Sequence, residues 1–365
     1  MWRKSKVCVF LAALLIVVLA VSGCESNISK KALPYMKNER PYLGLRDAEG
    51  KELQMLRQPR RIVSLTIRSD EILMELADVQ NIIALSKWAD DPVASNVSEE
   101  AKQVALRALP SEELIVGMKP DLVIASQSQP YDLIYRLRSL GVPVYVCPLP
   151  HSVKDTENLI FDLGKLLHKE KKAKAMVARM EQVIQTYAEK IASIPEEKKV
   201  SVYRFTVSGG NGGKNTYYDD ICQKAGVKNV AAQMVFRGTQ LLPKEQVLQM
   251  NPDVIFLPTW DWSGKLDLEA YKREIIEDPA LQTVKAIRDR RLYVIPDTHM
   301  LCSSQYMVEC IKDIYEACYG NNALRRKSFS SLRIRLSGTH TYTGLSESFT
   351  RTLERQINCN SSDNA

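Results

Sequence analysis

From residue 62 onward, short runs that are apolar at every position alternate with stretches whose apolar residues recur at helical spacing. Ile62-Val63-Ser64-Leu65, residues 82–85, residues 122–125 and Val142-Pro143-Val144-Tyr145-Val146 are the first such runs, and their length and β-branched content predict strands. Residues 70–77 and 131–140, the latter ending at Gly141, predict intervening helices. A strand apolar on both faces leaves no side for water, so the pattern predicts an α/β fold of parallel sheets covered by helices on each face. Ahead of the first strand, Asp47-Ala48-Glu49-Gly50 reads as a turn.

The order of elements then repeats. Residues 111–121 (SEELIVGMKPD) align without a gap on residues 243–253 (PKEQVLQMNPD), matching Glu113 with Glu245, Met118 with Met250, and Pro120-Asp121 with Pro252-Asp253. Asp78–Ile82 likewise matches Gly226–Val230, and Val144–Val146 matches Leu292–Val294. Two similar α/β lobes are predicted, over 43–150 and 199–320. Within the intervening 151–198, residues such as Leu159, Leu163, Met176, Met180 and Tyr187 keep helical spacing from about 155 to Ser193. This predicts a single long backbone helix of over ~50 Å at ~1.5 Å per residue, unless Gly164 or the Lys-rich stretch at 169–172 bends it. A strut of that kind predicts little closure on ligand binding.

The N-terminus sets the compartment. Arg3, Lys4 and Lys6 precede the apolar run Val7–Val21, the charge and length pattern of an export signal over 1–23, too short for a comfortable bilayer crossing. Val21-Ser22-Gly23-Cys24 resembles the lipobox of bacterial lipoproteins. That likeness implies lipidation of Cys24, and an exported protein anchored to the cell membrane at its outer face or in the periplasm. Residues 24–42 are polar, with Pro34 and Pro41, and are expected to be a tether. Residues 321–365 lack a sustained apolar period and predict a weakly ordered basic tail.

Composition adds less. At 45% hydrophobic and 25% charged, the 365-residue chain suits two globular cores. Its net charge of +7 resides in the two ends: residues 1–23 carry three cations and no acid, and residues 321–365 carry seven Arg/Lys against three acids. The body between is neutral, so no nucleic-acid partner is expected. Cys147, Cys222, Cys302, Cys310, Cys318 and Cys359 form no C-x-x-C pair and no zinc-like spacing with histidine. Export makes a disulfide possible without fixing one.

Open parallel sheets bind ligands beyond the carboxyl ends of their strands. Here those loops begin at Thr66, Ser86, Ser126, Val207, Pro258 and Pro296. Trp88, Trp260 and Trp262 all fall in them, and large indoles in polar loops suit a flat macrocycle or aromatic chelator; capping of the lobe cores is the alternative, and for Trp262 it stands level with the first. Arg68, Gln127, Asn211 and His299 are the polar candidates. Arg68 could pair with a carboxylate or catecholate, or with neighbouring Asp70. No dedicated metal site is expected, but His299 is a possible axial ligand. His151 and His168 are expected on the strut side as structural or solvated residues. Ser208–Asn215 follows a strand and suggests a phosphate-binding loop, but Ser208 replaces its first glycine and Asn215 its hydroxyl residue.

Between Leu43 and about Gly320, the layout resembles the helical-backbone (class III) periplasmic substrate-binding proteins of ABC importers for iron-siderophores, haem and cobalamin. The likeness rests on Pro59-Arg60-Arg61-Ile62-Val63-Ser64-Leu65, Asp70-Glu71-Ile72-Leu73, Lys119–Ile124, Asn251–Ile255 and Ser303-Ser304-Gln305-Tyr306, in order with the lipobox and the repeat. It implies two Rossmann-like lobes capturing a metal chelate and delivering it to an ABC permease dimer with its ATPase. It further implies a monomer that holds no cofactor and performs no catalysis. In that family, glutamates at the helix positions of Glu113 and Glu245 dock onto permease arginines, and one carboxylate per lobe suits a two-fold partner. A free metal-ion receptor, a ligand sensor or a bilobed nucleotide-sugar-type transferase are the rival expectations; the first needs several convergent ligands and the last a working phosphate turn.

Overall fold

The computed structural model describes residues 43–55, 57–207, 212–233, 244–261 and 263–320. The expected signal, Cys24, the tether, Asn211, Trp262, Cys359 and the basic tail lie outside the described residues. A feature the sequence pattern missed comes first: β1 (Leu43–Arg46) and β2 (Glu52–Met55) pair antiparallel around the 47–50 turn. Asp47 holds that turn by accepting the Glu49 and Lys51 N–H groups at 2.9 and 3.0 Å.

The first lobe has five strands, β3 (Ile62–Ser64), β4 (Ile82–Ser86), β5 (Leu106–Ala108), β6 (Leu122–Ser126) and β7 (Val144–Cys147), in the order β5-β4-β3-β6-β7 with every pair parallel. Its connections include α1 (Ile67–Leu76), α2 (Glu112–Gly117) and α3 (Tyr131–Ser139). Strands β3, β6 and β7 are buried at every position, which is why they read as unbroken apolar runs. The chain starts in the middle of this sheet and builds outward to both sides, so its switch point lies between β3 and β6.

Two helices follow, α4 (Val153–Leu166) and α5 (Glu170–Ala192). The single long helix expected across 155–193 is therefore broken. His168 takes a left-handed φ of 51°, and Gln58 Nε2 donates to the released Leu167 carbonyl at 2.7 Å. The helices press together beyond the break: a Cβ on Gly164 would stand 2.6 Å from the Ala173 Cβ. Helix α4 packs on α1 and β1 of the first lobe.

The second lobe contains β8 (Ser201–Arg204), α6 (Tyr217–Lys224), β9 (Lys228–Asn229), α7 (Lys244–Met250), β10 (Val254–Leu257), α8 (Leu268–Glu277), α9 (Lys285–Arg288), β11 (Leu292–Val294), α10 (Asp297–Met300) and α11 (Met307–Tyr319). Its sheet runs β11-β10-β8-β9, again all parallel, with the switch point between β8 and β10. Helix α5 packs against α6 and α11, so the helix pair is shared between the lobes.

The sequence repeat has a common geometry. Lys119 and Asn251, each before a Pro-Asp pair, adopt left-handed φ values of 51° and 44°. The Asp121 carboxylate accepts the Arg60 and Arg61 N–H groups at 2.9 and 2.8 Å, tying the start of β6 to that of β3. Asp253 does the same for β8, accepting the Ser201 N–H and hydroxyl at 2.8 Å. Cys147, Cys222, Cys302, Cys310 and Cys318 are buried free thiols. Among the described residues no helix is long and apolar enough to cross a membrane.

Candidate functional site

Both switch points open into one cleft of about 1640 Å³. The first lobe lines it with Leu65–Arg68 after β3, Trp88 after β4, and Ser126, Ser128 and Gln129 after β6. The second lobe contributes Arg204–Val207, Gly212, Gly213, Tyr217, Pro258, Trp260 and Asp297. Leu149, Pro150 and His151 come from the segment between β7 and α4, and Leu301 and Ser303 from the stretch between α10 and α11. Ligand-facing loops at strand carboxyl ends are the arrangement expected of open parallel sheets.

Arg68 enters the cleft from the first turn of α1. The turn is fixed by its N-cap, Thr66, whose hydroxyl accepts the Ser69 N–H at 3.2 Å. The Arg68 side chain is 7% exposed. Among the described residues none forms a hydrogen bond or ion pair with its guanidinium, and Asp70 points elsewhere. Burial pulls the Arg68 pKa down, against a smaller raising effect of Cys147, Cys302 and Tyr145. Arg204, 4% exposed, brings a second cation from the end of β8. It donates to the Met300 carbonyl at 3.0 Å, lies 4.3 Å from the Tyr218 ring centroid and shares a side-chain hydrogen bond with Tyr217.

Trp88 and Trp260 form the aromatic part. Their ring centroids are 5.5 Å apart at 89°, edge to face across the lobes. The Trp260 indole N–H donates to Asp91 of the first lobe at 3.3 Å, and Lys87 Nζ sits 4.4 Å from the Trp88 ring centroid. Both indoles remain partly exposed. Leu149 and Leu301 add exposed apolar surface at the rim.

Two expected site residues are placed elsewhere. Gln127 is exposed and outside the lining, because its Oε1 accepts the Leu149 N–H at 3.1 Å; Gln129 reaches the cleft instead. His299 is also outside it. Its Nδ1 lies 2.6 Å from Asp313 of α11, so that ring nitrogen is engaged with the helix and the residue does not line the cleft. His151, expected on the strut side, lines the cleft. Arg204 and Tyr217 escaped the sequence reading. The signal for Arg204 was its charge at the end of the apolar run Ser201-Val202-Tyr203, where a buried sheet has no place for an unanswered cation. Among the described residues no group of three or more His, Cys, Asp or Glu side chains could hold a metal ion. Glu113 and Glu245 occupy the second positions of α2 and α7, and both are exposed.

The profile of the family described as periplasmic binding protein matches residues 62–298. The chain is 23% identical over 317 residues to the uncharacterized ABC transporter substrate-binding lipoprotein YvrC of Bacillus subtilis, covering 84% of this chain and 96% of that one. It is 23% identical over 298 residues to the probable siderophore-binding lipoprotein YfiY of the same organism, covering 78% and 88%. Among solved structures, the periplasmic heme-binding protein RhuT of Roseiflexus sp. RS-1 superposes with a TM-score of 0.59 at 23% identity, over 71% of this chain and 99% of that one. At that identity the structural likeness speaks for the fold.

Proposed function

Because the chain belongs to the periplasmic binding protein family, we propose that it is the substrate-binding lipoprotein of an ABC importer, holding an anionic metal chelate between its lobes for delivery to a permease dimer and its ATPase. The observation that carries this reading is Arg68, a buried guanidinium facing the cleft with no hydrogen-bonded or ion-paired partner among the described residues. A buried cation is costly unless something answers it, and a carboxylate or catecholate on the ligand would do so through paired charge-assisted hydrogen bonds. Arg204 adds a like charge from the opposite lobe, and the Trp88–Trp260 wall supplies an apolar, aromatic surface.

A ferric siderophore with acidic or catecholate groups meets both requirements, and haem meets them through its propionates. A neutral corrinoid leaves Arg68 unanswered. The chelate arrives with its metal already coordinated, as suits a cleft without a converging ligand set among the described residues. In this reading the protein is a monomer without a resident cofactor or chemistry of its own, anchored through lipid on Cys24, with Glu113 and Glu245 meeting the permease.

The test is titration of the full-length protein in detergent with a ferric tris-catecholate, ferric citrate, haemin and cyanocobalamin, following tryptophan emission corrected for absorbance. Saturable quenching by an anionic chelate is expected. In Arg68→Ala, affinity for that chelate falls by about 1.5–3 kcal/mol, roughly ten- to a hundredfold, with the quenching amplitude retained. Binding by none of the four, or an Arg68→Ala protein of undiminished affinity, overturns the reading.

A further inference from the structure

The two indoles that meet across the cleft sit on turns gripped from beneath, each by a buried aspartate of its own lobe. In the first lobe, Asp70 on α1 accepts the Ser86 N–H at 3.0 Å and the Ser86 hydroxyl. Ser86 ends β4, and its carbonyl accepts the Ala89 N–H at 3.1 Å, closing the turn that carries Trp88. In the second lobe, Asp297 at the start of α10 places one oxygen, Oδ2, against three donors: Thr259 N–H at 2.6 Å, Trp260 N–H at 2.7 Å and the Thr259 hydroxyl at 3.0 Å. Asp297 N–H returns a bond to Thr259 Oγ1 at 2.8 Å.

The design is the same in both lobes although these positions are not equivalents in the sequence repeat. A helix following one strand sends a carboxylate to the carboxyl end of the neighbouring parallel strand, where the aromatic loop begins. Both carboxylates are almost wholly withdrawn from solvent, and among the described residues neither makes an ion pair within 4.0 Å. Core packing alone does not require hydrogen-bonding polar groups at such depth. What each obtains is a fixed path for a short loop whose indole must otherwise find its own orientation.

We infer that Asp70 and Asp297 are positioning residues for ligand recognition, which together hold Trp88 edge-on to Trp260 and so make one wall of the cleft selective for ligands with an aromatic or macrocyclic edge. This rests on the cleft being the ligand site. A wall fixed by the protein's own hydrogen bonds spends little entropy on meeting a flat ligand, and an aliphatic chelate gains little from it. Asp70 and Asp297 therefore govern the ratio of affinities for aromatic and aliphatic chelates, while the arginines govern affinity for both.

The experiment uses full-length protein labelled with 5-fluorotryptophan, whose fluorine resonances are assigned by Trp88→Phe and Trp260→Phe. Without any ligand, Trp260→Phe is expected to shift the Trp88 resonance, because the rings lie in each other's ring currents. In Asp297→Ala that mutual effect collapses. In Asp297→Asn, whose amide oxygen can accept the two backbone N–H bonds, part of it returns. Thr259→Val, which removes the hydroxyl from the clamp, gives an intermediate loss should Asp297→Ala not fold.

Binding is then compared for a ferric tris-catecholate and ferric citrate. Thr259→Val, at a residue outside the cleft lining, is expected to weaken the catecholate complex several-fold and the citrate complex less than twofold, and to add nothing in a Trp260→Leu background. Unchanged coupling between the fluorines, or equal losses for the two chelates, overturns the inference. Failure of the wild-type protein to bind any chelate overturns the receptor reading instead and leaves the ligand-free resonances to decide the clamp.

Discussion

Arg68 and Asp70 lie two residues apart in one helix turn and yet do not pair, and that separation shapes the chemistry of the cleft. Asp70 spends its carboxylate on Ser86, which leaves Arg68 facing the cavity. The same burial sets the titration of Asp70, whose pKa is pushed up to about 7 by loss of solvent, against the lowering effect of hydrogen bonds from Ser64 and Ser86. An ordinary carboxyl group titrates near about 4. Between these values the folded protein retains a proton that the unfolded chain has released, so unfolding free energy falls as pH rises through the window. Glu71 and Asp297 are raised in the same direction, mainly by burial. Urea unfolding at pH 4.5, 6.0 and 7.5 should show a midpoint that declines with pH at constant m, and Asp70→Asn should flatten the decline. A midpoint that rises with pH in the wild type and is unaltered by the substitution contradicts the assignment.

At the scale of elements, α1 joins three tasks on neighbouring positions: Arg68 to the cleft, Asp70 to the Trp88 turn, and Glu71 to the other lobe. Glu71 accepts the Asn96 N–H and side-chain amide at 2.8 and 2.9 Å and the Ser304 hydroxyl, while its backbone carbonyl accepts Gln305 Nε2 at 2.9 Å. Asn96 Nδ2 also reaches the Thr298 carbonyl at 2.7 Å. This buried junction supplies the bracing that an unbroken helix was expected to give. The break between α4 and α5 is itself a packing device, since Gly164 admits Ala173 at a distance no side chain there would allow. Gly164→Ala should destabilise the protein by about 1–3 kcal/mol through overpacking, despite the better helix propensity of alanine. Adding Ala173→Gly should recover part of that loss beyond additivity. A purely additive double mutant in chemical denaturation excludes the contact as the cause.

For the whole molecule, the sequence repeat becomes two sheets with the same Pro-Asp tie and one exposed glutamate on an equivalent helix of each lobe. A two-fold permease offers like sites to like sites. Glu113→Ala with Glu245→Ala should therefore leave chelate affinity within twofold of the wild type and abolish uptake in cells that depend on this protein, with each single variant intermediate. Full uptake by the double variant would place docking elsewhere. The lobes are joined by the Glu71 junction, the shared helices and the indole contact, so ligand binding is met by a frame already braced.

The sequence by itself determined the apolar central strands, the parallel sheets and the two-lobe arrangement, but not the β1–β2 hairpin or the short edge strands β5 and β9. Burial on both faces writes itself as apolar runs, and the Pro-Asp tie recurs at matching positions. It also placed Arg68, Trp88 and Trp260 at strand ends, because the rule linking ligand loops to carboxyl ends needs only strand order. Only the tertiary structure decided what those residues meet: the Trp88–Trp260 contact, the release of Arg68 from Asp70, the turning of His299 to Asp313, and the Asp297 clamp on Thr259. Periodicity reports a residue's relation to neighbours within a turn or a strand. A hydrogen bond between residues 38 or 169 positions apart depends on where two separately formed elements come to rest, and no local pattern carries that information.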